Sequence, residues 1–360
     1  LPLRSLGSAF HVAMNGASAG RKIISLLNVP DPVWGKNEVK GTELKLNGVT
    51  FSYDGKRDVL KNVFMTFPEK GMTAIVGESG CGKSVSMLSV LHLLPDYAKI
   101  SANKMIFDGT DLTRLTPKMF RKISGDQIGM IFQDPMTALN PVLTVGDQIA
   151  EVIRLHEEIS RSDAYIKAAE MLEMVGIPAE RLGEYPHQFS GGMKQRVVIA
   201  MALACNPHLL LADEPTTALD VTIQAQVLDM MDDLKKKYNT AMILITHDLG
   251  VVGRMCDNVA VIYAGEVLEY GSKEEIFLHP QHPYTIGLFG AIPDLSVDTR
   301  RLANIEGLPP DPTDLPTGCC FNPRCPHATD KCRTIKFPLT EVRPGHFCSC
   351  PYCEAAEKED

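Results

Sequence analysis

Short apolar runs alternate with amphipathic stretches through most of the chain. Four of these runs have the length and composition of buried strands, namely 72–76, 127–132, 209–213 and 241–246. The stretches around them carry apolar residues at helical spacing, near 85–94, 118–122, 145–158, 163–175 and 221–237. Strands that alternate with helices favour a mostly parallel sheet covered by helices, so the pattern predicts an α/β fold.

Two regions depart from this alternation. In residues 43–67, apolar positions alternate roughly with polar ones and Asp54-Gly55 is a turn signal, so we expect an antiparallel β subdomain. Residues 134–190 open at Asp134-Pro135 and continue with two amphipathic helical patterns. They predict a helical subdomain inserted into the α/β core.

A polar residue or a glycine stands at the end of each of the four apolar runs. Gly77, Gln133, Asp213 and His247 lie at or just beyond the carboxyl ends of the runs. Ligands of open α/β sheets bind outside the carboxyl ends of the strands. The four runs therefore predict one shared ligand site at a single edge of the sheet.

The segment after the first run has the pattern G-x-x-x-x-G-K-S over residues 77–84. A strand before it and a helix after it distinguish a phosphate-binding P-loop from a chance glycine-rich turn. Backbone N–H groups of such a loop surround phosphate oxygens, and the helix N-terminus adds partial positive charge. We expect Lys83 to reach the β- and γ-phosphates and the Ser84 hydroxyl to hold Mg²⁺. The residues predicted to contact the nucleotide here are Gly77, Glu78, Ser79, Gly80, Cys81, Gly82, Lys83, Ser84 and Val85.

Further candidate residues follow other strands. Asp213 is placed to support Mg²⁺ through water, and Glu214 could polarise the attacking water, as acids at such strand ends do in P-loop ATPases. His247 could orient the γ-phosphate, although an isolated histidine is more often structural. Tyr53 could stack on an adenine ring or simply pack within its strand.

A second glycine-rich helix start occurs at Ser190-Gly191-Gly192. Ser190 can serve as the N-cap, and the glycines leave backbone N–H groups bare, which makes a second anion site. One nucleotide cannot use both this site and the P-loop within one subunit. We therefore expect the second site to meet the γ-phosphate held by a partner subunit.

Composition limits the function classes. Hydrophobic residues make up 44% and charged residues 22% of the 360 residues, as in ordinary soluble domains. The net charge of −8 argues against a nucleic-acid partner. The sequence contains no apolar run of about 18 residues and no secretory signal pattern, so we expect no membrane span and a cytosolic setting.

Cysteines cluster near the C-terminus. Ten are present, and seven of them lie beyond residue 318. This clustering fits a metal or cluster site better than disulfides, which are rare in the cytosol where an ATP-dependent enzyme works.

The chain resembles an ABC transporter ATPase. The motifs of that family match this sequence in order, with Walker A at 77–84, the Q-loop at Gln133, the signature at 190–192, Walker B at 213–214, the D-loop at Asp220 and the H-loop at His247. Residues 85–353 are more specifically similar to the ATP-binding subunit of oligopeptide, dipeptide and nickel importers. The stretches that carry this resemblance are 133–141, 189–196, 282–285, 315–319 and 323–326. Residues 1–80 resemble an ABC exporter instead, so the chain has the features of a mosaic.

This resemblance implies a P-loop NTPase fold of the ABC ATPase type. We expect an N-terminal helical linker at 1–38, the ATPase domain at 39–278 with its helical subdomain at about 134–190, and a Cys-rich C-terminal extension at 279–360. The implied function is ATP hydrolysis that energises peptide uptake, at the cytoplasmic face of the cell membrane. The alternative is the ATPase domain of an exporter. A non-transport ABC ATPase usually carries two cassettes or a long coiled coil, and this sequence shows neither.

The resemblance also assigns roles and partners. Glu214 is the general base, Gln133 senses metal and water, and His247 contacts the γ-phosphate; with Lys83 they are the catalytic residues, while Tyr53 stacks on adenine. Mg²⁺ is assigned to Ser84, Gln133 and Asp213. Because ABC ATPases work as head-to-tail pairs, it implies a second ATPase subunit, two transmembrane permease subunits and, indirectly, an extracytoplasmic peptide-binding protein. The signature residues Ser190, Gly191 and Gly192 are assigned to the partner's nucleotide, and Asp220 is assigned to nucleotide binding.

The cysteine tail is associated with a [4Fe–4S] cluster in this importer family. The four cysteines that match the family are Cys319, Cys325, Cys332 and Cys350. Four thiolates are the usual cluster complement, but zinc is a rival because His327 and His346 lie nearby in the sequence. The additional cysteines Cys320, Cys348 and Cys353 leave the assignment open, and a tail without metal is the third alternative.

Overall fold

The computed structural model describes residues 43–53, 58–95, 97–217, 219–290, 305–311 and 314–354. The helical linker predicted for residues 1–38 lies outside this part of the chain. The described strands are β1 Leu44–Ser52, β2 Asp58–Phe67, β3 Met72–Val76, β4 Lys99–Ser101, β5 Lys104–Phe107, β6 Thr110–Asp111, β7 Ile128–Ile131, β8 Leu209–Asp213, β9 Ala241–Ile245, β10 Asn258–Tyr263, β11 Glu266–Ser272, β12 Thr340–Arg343 and β13 His346–Cys348. The described helices are α1 Lys83–Val90, α2 Pro117–Ile123, α3 Pro135–Ala138, α4 Val145–His156, α5 Arg161–Met174, α6 Gly191–Leu203, α7 Val221–Tyr238, α8 Leu249–Met255, α9 Lys273–Leu278, α10 Pro283–Gly290 and α11 Asp330–Thr334.

The central sheet has the strand order β12-β13-β11-β10-β3-β9-β8-β7. Its pairs from β10 through β7 are all parallel. Every residue of β3, β8 and β9 is buried, as expected for strands covered on both faces. The mostly parallel α/β sheet that the apolar runs predict is therefore present.

The other side of the central sheet is antiparallel. Strand β11 pairs with β10 on one side and β13 on the other, and β13 pairs with β12. None of these strands was predicted from the sequence; β12 and β13 are short and lie in a segment rich in Pro, Cys and charged residues. Residues 340–348, within the predicted C-terminal extension, thus complete the sheet of the ATPase core.

A second, antiparallel sheet has the order β2-β1-β5-β6, with β4 paired to β1. It corresponds to the β subdomain predicted for residues 43–67 and recruits residues 99–111 as well. Its apolar face includes Leu44, Phe51, Leu60 and Phe67, which are at most 1% exposed. These residues belong to a core cluster that also contains one face of the central sheet.

Helices α4 and α5 form the predicted helical subdomain. In α4, Val145, Ile149 and Ile153 recur at four-residue spacing and are all fully buried. Thr144 caps this helix by accepting the N–H of Asp147 at 3.1 Å. Apolar residues at helical spacing mark both helices in the sequence. The observed first and last residues of α4 and α5 therefore agree closely with the predicted ranges.

Helix α1 is shorter than the sequence indicates. It spans Lys83–Val90 rather than continuing to Leu94, because His92 adopts a left-handed backbone with φ +51°. The apolar residues near 91–94 made the helical pattern look longer than it is. Among the described helices, none combines the length and the hydropathy needed to cross a bilayer.

Candidate functional site

Four neighbouring parallel strands end at the same edge of the central sheet. In the sheet order β3-β9-β8-β7, the strands are followed by Gly77, His247, Glu214 and Gln133, while Asp213 is the last residue of β8. The structure thus brings these strand-end residues together at one edge, and their binding of a shared ligand stays a prediction.

The loop between β3 and α1 requires glycine at its first position. Gly77 has φ +154°, and a Cβ atom there would lie 2.1 Å from the carbonyl oxygen of Ile262. Gly80 and Gly82 have φ values of +80° and +100°, a region that glycine occupies without strain. Ser79 and Gly80 form the exposed tip of the loop, whereas Cys81 is buried.

Lys83 is folded across the P-loop. Its Nζ donates to the carbonyl oxygens of Gly77 at 2.8 Å and Glu78 at 2.9 Å, and the side chain is buried. The ammonium is thus already held against the inside of the loop, where a phosphate would be surrounded by backbone N–H groups. Val85, in the same turn of α1, is half-buried and packs against the core cluster that the antiparallel sheet shares with the central sheet.

Ser84 and Asp213 are in direct contact although they lie far apart in the sequence. The Ser84 hydroxyl donates to Oδ1 of Asp213 at 3.0 Å. Burial raises the pKa of Asp213, and the Ser84 hydrogen bond acts in the opposite direction. A hydroxyl and a carboxylate at a phosphate site are the ligands that Mg²⁺ takes when it keeps most of its waters, so these residues fit the predicted metal.

Glu214 lies at the centre of a cluster of polar side chains at the same edge of the sheet. Its Oε2 accepts hydrogen bonds from Gln133 Nε2 at 3.0 Å and the Thr217 hydroxyl at 2.8 Å, and its Oε1 lies 3.5 Å from Nδ1 of His247. Burial tends to raise the pKa of Glu214, but Thr217, His247 and Lys83 outweigh it and hold the pKa below its usual range. The carboxylate is therefore ionised and able to accept a proton.

The backbone of Glu214 is unusual. Its φ of +44° places a non-glycine residue in the left-handed region, which is uncommon. Such conformations persist where the surroundings impose them, and they concentrate at functional sites. Thr217, which was not singled out from the sequence, donates its hydroxyl to this carboxylate and so restrains it.

Tyr53 stands at the end of β1, apart from these contacts. Its ring packs edge-on against Phe51 with 4.8 Å between centroids, and the residue is 43% exposed. A little less than half of the residue is thus accessible to a ligand. Both interpretations from the sequence, packing and stacking on a base, therefore remain compatible with its position.

The signature segment lies at the start of α6. Ser190 caps this helix by accepting the N–H of Met193 at 3.4 Å. A Cβ atom on Gly192 would meet Ile223 at 2.6 Å, whereas one on Gly191 would meet nothing within 4 Å. Among the hydrogen bonds and ion pairs of the described residues, none joins this segment to the P-loop. Gly191 is thus exposed, with open space at its Cβ position.

Asp220 has a local structural role. It is the N-cap of α7, and its carboxylate accepts the N–H of Ile223 at 3.0 Å. No hydrogen bond or ion pair between Asp220 and the P-loop group occurs in the part of the chain that the structure describes. The predicted contact with nucleotide therefore stays a prediction that needs a second subunit.

The four family cysteines occupy one region of the C-terminal extension. Burial, together with the neighbouring thiols Cys319, Cys325 and Cys332, raises the pKa of Cys350 to about 12. Within the described ranges, however, no three His, Cys, Asp or Glu side chains are placed to hold a metal ion. The predicted [4Fe–4S] cluster or zinc ion is therefore not supported by the described side chains.

Two residues of the C-terminal extension were missed as parts of the site. Arg324 pairs with Glu78, and the hydroxyl of Tyr284 accepts the N–H of Glu78 at 3.0 Å. Both stand in stretches that carry the family resemblance, 323–326 and 282–285, but nothing in their spacing indicates the P-loop as their partner.

Two family models match the chain. Residues 60–217 match the ABC transporter family, and residues 268–332 match the family described as the C-terminal region of oligopeptide/dipeptide transporters. The second match covers the segment that contains both Tyr284 and Arg324.

Curated relatives cover most of the chain. The dipeptide transport ATP-binding protein DppD of Bacillus subtilis is 50% identical over 303 residues, which are 83% of this chain and 90% of the relative. The oligopeptide transport ATP-binding protein OppD of Haemophilus influenzae is 47% identical over 299 residues, 82% of this chain and 92% of the relative. These matches favour the importer interpretation over the exporter one.

Solved structures support the same assignment. A post-hydrolysis dimer of the ATP-binding cassette MJ0796 with ADP and Pi superimposes with a TM-score of 0.58 and 29% identity, covering 64% of this chain and 98% of that one. CbiO1 from Clostridium perfringens, part of the ABC transporter complex cbiONQ, gives a TM-score of 0.58, 27% identity, and coverage of 68% and 94%. With its P-loop, its strand-end residues and its relatives in agreement, the chain belongs to the ABC transporter ATPases, within the group of oligopeptide and dipeptide transport ATP-binding subunits.

Proposed function

We propose that this ABC ATPase energises the uptake of oligopeptides or dipeptides as a peripheral subunit at the cytoplasmic face of the cell membrane. The observation that carries the ATPase chemistry is the pair of contacts Ser84–Asp213 and Gln133–Glu214 at one sheet edge. The peptide substrate is inferred from the relatives, which are named for dipeptide and oligopeptide transport.

The chemistry follows from where these side chains lie. The P-loop N–H groups and Lys83 would bind the β- and γ-phosphates, and Ser84 and Asp213 would hold Mg²⁺, whose charge neutralises the phosphate oxygens. Glu214 accepts a proton from the water that attacks the γ-phosphorus, while Gln133 and His247 orient the reacting groups. The products are ADP and inorganic phosphate. Preorganised charges supply most of the acceleration in such a reaction.

A second ATPase subunit would complete the site. Gly191, the first residue of α6, is exposed and has nothing within 4 Å of its Cβ position, and the N-termini of helices bind anions. The solved cassette MJ0796 is itself described as a dimer. We infer that Ser190, Gly191 and Gly192 close over the γ-phosphate held by a second copy or a paralogue, with Asp220 at the same interface.

The helical subdomain is the surface proposed to meet two transmembrane permease subunits. Met136, Val142 and Leu155 around α3 and α4 are 61%, 75% and 71% exposed. Large apolar side chains exposed on one subdomain are typical of a protein-binding surface. Closure of the ATPase pair would move this subdomain and so shift the conformation of the permease. An extracytoplasmic peptide-binding protein would act on the same complex from the far side.

The metal content of the cysteine tail stays a prediction. The resemblance favours a [4Fe–4S] cluster at Cys319, Cys325, Cys332 and Cys350, with zinc as the alternative, but the described side chains do not form a ligand set. The proposed ATPase mechanism uses neither metal. Iron, acid-labile sulfide and zinc measured in anaerobically purified protein would distinguish a cluster, zinc and no metal.

The decisive experiment is ATPase measurement in the assembled transporter. We would reconstitute the chain in vesicles with its permease subunits and partner ATPase, and measure phosphate release with and without a peptide-loaded binding protein. We expect hydrolysis that peptide-loaded binding protein stimulates. Hydrolysis without any response to peptide would refute the substrate, and absence of MgATP binding by the chain would refute the function altogether.

A further inference from the structure

The C-terminal extension contacts the P-loop through a forked ion pair. Arg324 Nη1 lies 2.7 Å from Oε2 of Glu78, and Nη2 lies 3.1 Å from Oε1. The side chains are only 6% and 25% exposed. Bidentate guanidinium–carboxylate pairs combine charge with fixed geometry, so they define position as well as strength. A residue 246 positions away thereby fixes the second residue of the P-loop.

Arg324 is itself rigidly held. Its Nε donates to the carbonyl oxygen of Glu306 at 3.0 Å, and Nη2 lies 3.4 Å from that of Ile305. Nη1 also donates to the hydroxyl of Tyr263 at 3.1 Å, at the end of β10. All three nitrogens have acceptors, so the guanidinium is anchored between the extension and the central sheet and cannot follow Glu78 if the loop moves.

The restraint on Glu78 also affects Lys83, the residue that would bind phosphate. The N–H of Glu78 donates to the Tyr284 hydroxyl at 3.0 Å, and its carbonyl oxygen accepts from Lys83 Nζ at 2.9 Å. Tyr284 holds the backbone N–H of Glu78 and Arg324 holds its carboxylate, so two residues of the extension restrain Glu78. The carbonyl of Glu78 is in turn one of the two that hold the Lys83 ammonium, the other being that of Gly77.

The P-loop also borders a cavity. Residues 78–81 line this cavity of about 410 Å³ together with residues 308–311 of the extension. Where a loop borders open space, its polar contacts matter more for its conformation. The ion pair with Arg324 is a charged contact of this kind.

We infer that Arg324 is a positioning residue for nucleotide binding, which acts through Glu78 to hold the P-loop and Lys83 in the phosphate-binding conformation. This inference rests on the proposed function, since it presumes that MgATP binds at the P-loop. It assigns to the C-terminal extension a direct part in ATP affinity. The competing explanation is that Arg324 merely attaches the extension to the core.

The test compares MgATP affinity with stability in the full chain. Arg324→Ala frees Glu78, and if only about a tenth of the molecules then keep the binding conformation, the Kd for MgATP rises about tenfold. Arg324→Lys keeps the charge but not the fork, so we expect an intermediate Kd. The matched control is Lys336→Ala, which breaks another ion pair between the extension and the core, Lys336 with Glu266, and removes no partner of Glu78.

A double-mutant cycle identifies the route of the effect. We would measure Kd by displacement of a fluorescent ATP analogue for Arg324→Ala, Glu78→Ala and the double variant, and the free energy of unfolding for each. If Arg324 acts through Glu78, the double variant binds MgATP no more weakly than Glu78→Ala alone. Additive losses would show that Arg324 does not act through Glu78.

The possible outcomes distinguish failure of this inference from failure of the proposed function on which it rests. If Arg324→Ala lowers the free energy of unfolding as Lys336→Ala does but leaves Kd unchanged, Arg324 is only an anchor and the inference is overturned. Should Arg324→Ala fail to fold, Arg324→Lys and Glu78→Ala decide the question by the same comparison. Failure of the unmodified chain to bind MgATP would instead overturn the proposed function, and this inference with it.

Discussion

Replacing Glu214 by glutamine removes a base while preserving the contacts around it. Oε2 of Glu214 accepts from Gln133 and Thr217, at 3.0 and 2.8 Å. The amide oxygen of glutamine can occupy the same position and accept both bonds, and the amide nitrogen then faces Nδ1 of His247. The geometry of the group therefore survives the change, while its negative charge and its ability to take a proton do not.

The expected loss is confined to turnover. A positioned general base contributes about 10²- to 10⁴-fold, which corresponds to about 3–5 kcal/mol of activation free energy. The groups placed to bind the phosphates and Mg²⁺, namely Lys83, Ser84 and Asp213, are untouched. We therefore expect Glu214→Gln to bind MgATP normally and to lower kcat by about 10²- to 10⁴-fold.

The assay is phosphate release in single- and multiple-turnover experiments, with MgATP affinity measured in parallel. Glu170→Gln is the matched control, because it makes the same chemical change on an exposed surface of α5 and should leave both quantities unchanged. Full turnover by Glu214→Gln would remove Glu214 from its role as base. Loss of affinity in step with loss of turnover would show that it binds nucleotide instead.

Three further predictions follow from the same geometry. Gly77→Ala abolishes nucleotide-analogue binding, because its Cβ would lie 2.1 Å from a carbonyl oxygen, whereas Gly183→Ala, with nothing within 4 Å, leaves binding intact. Thr217→Val removes a hydrogen bond that lowers the pKa of Glu214, so the acidic limb of the kcat–pH profile moves to higher pH; an unmoved limb contradicts this. Ile149→Ala empties a fully buried site in α4 and lowers the free energy of unfolding by about 2–5 kcal/mol in denaturant titrations, whereas no loss would refute tight packing there.

The individual strands and the P-loop could be predicted because their information is local. An apolar run, a glycine pattern and a helix start at 72–84 are readable without knowing what lies beside them. That the polar ends of four such runs meet also follows from a general property of parallel sheets. The hydrogen bonds from Ser84 to Asp213 and from Gln133 to Glu214 are consistent with that rule, because each joins residues at or beyond the ends of different parallel strands.

The contacts that the sequence did not predict are those between distant segments. Strands β10 to β13 pair through register choices that no single segment encodes, and β12 and β13 have at most four residues each. The end of α1 was misplaced because the left-handed turn at His92 uses a residue that gives no glycine signal. Arg324 lies in a recognisable stretch, but its partner Glu78 is known only from the folded chain.

The C-terminal extension is structurally continuous with the ATPase core. Strand β13 covers the edge of β11, whose backbone groups would otherwise be unpaired. Glu269 of β11, fully buried, accepts the N–H of His282 at 2.9 Å and lies 2.7 Å from Nε2 of His346 in β13. An acidic group buried without such partners is costly, so these contacts hold the hairpin in place. Since the same extension carries Arg324 to the P-loop, any change in its packing would act on the sheet edge and on the nucleotide site together.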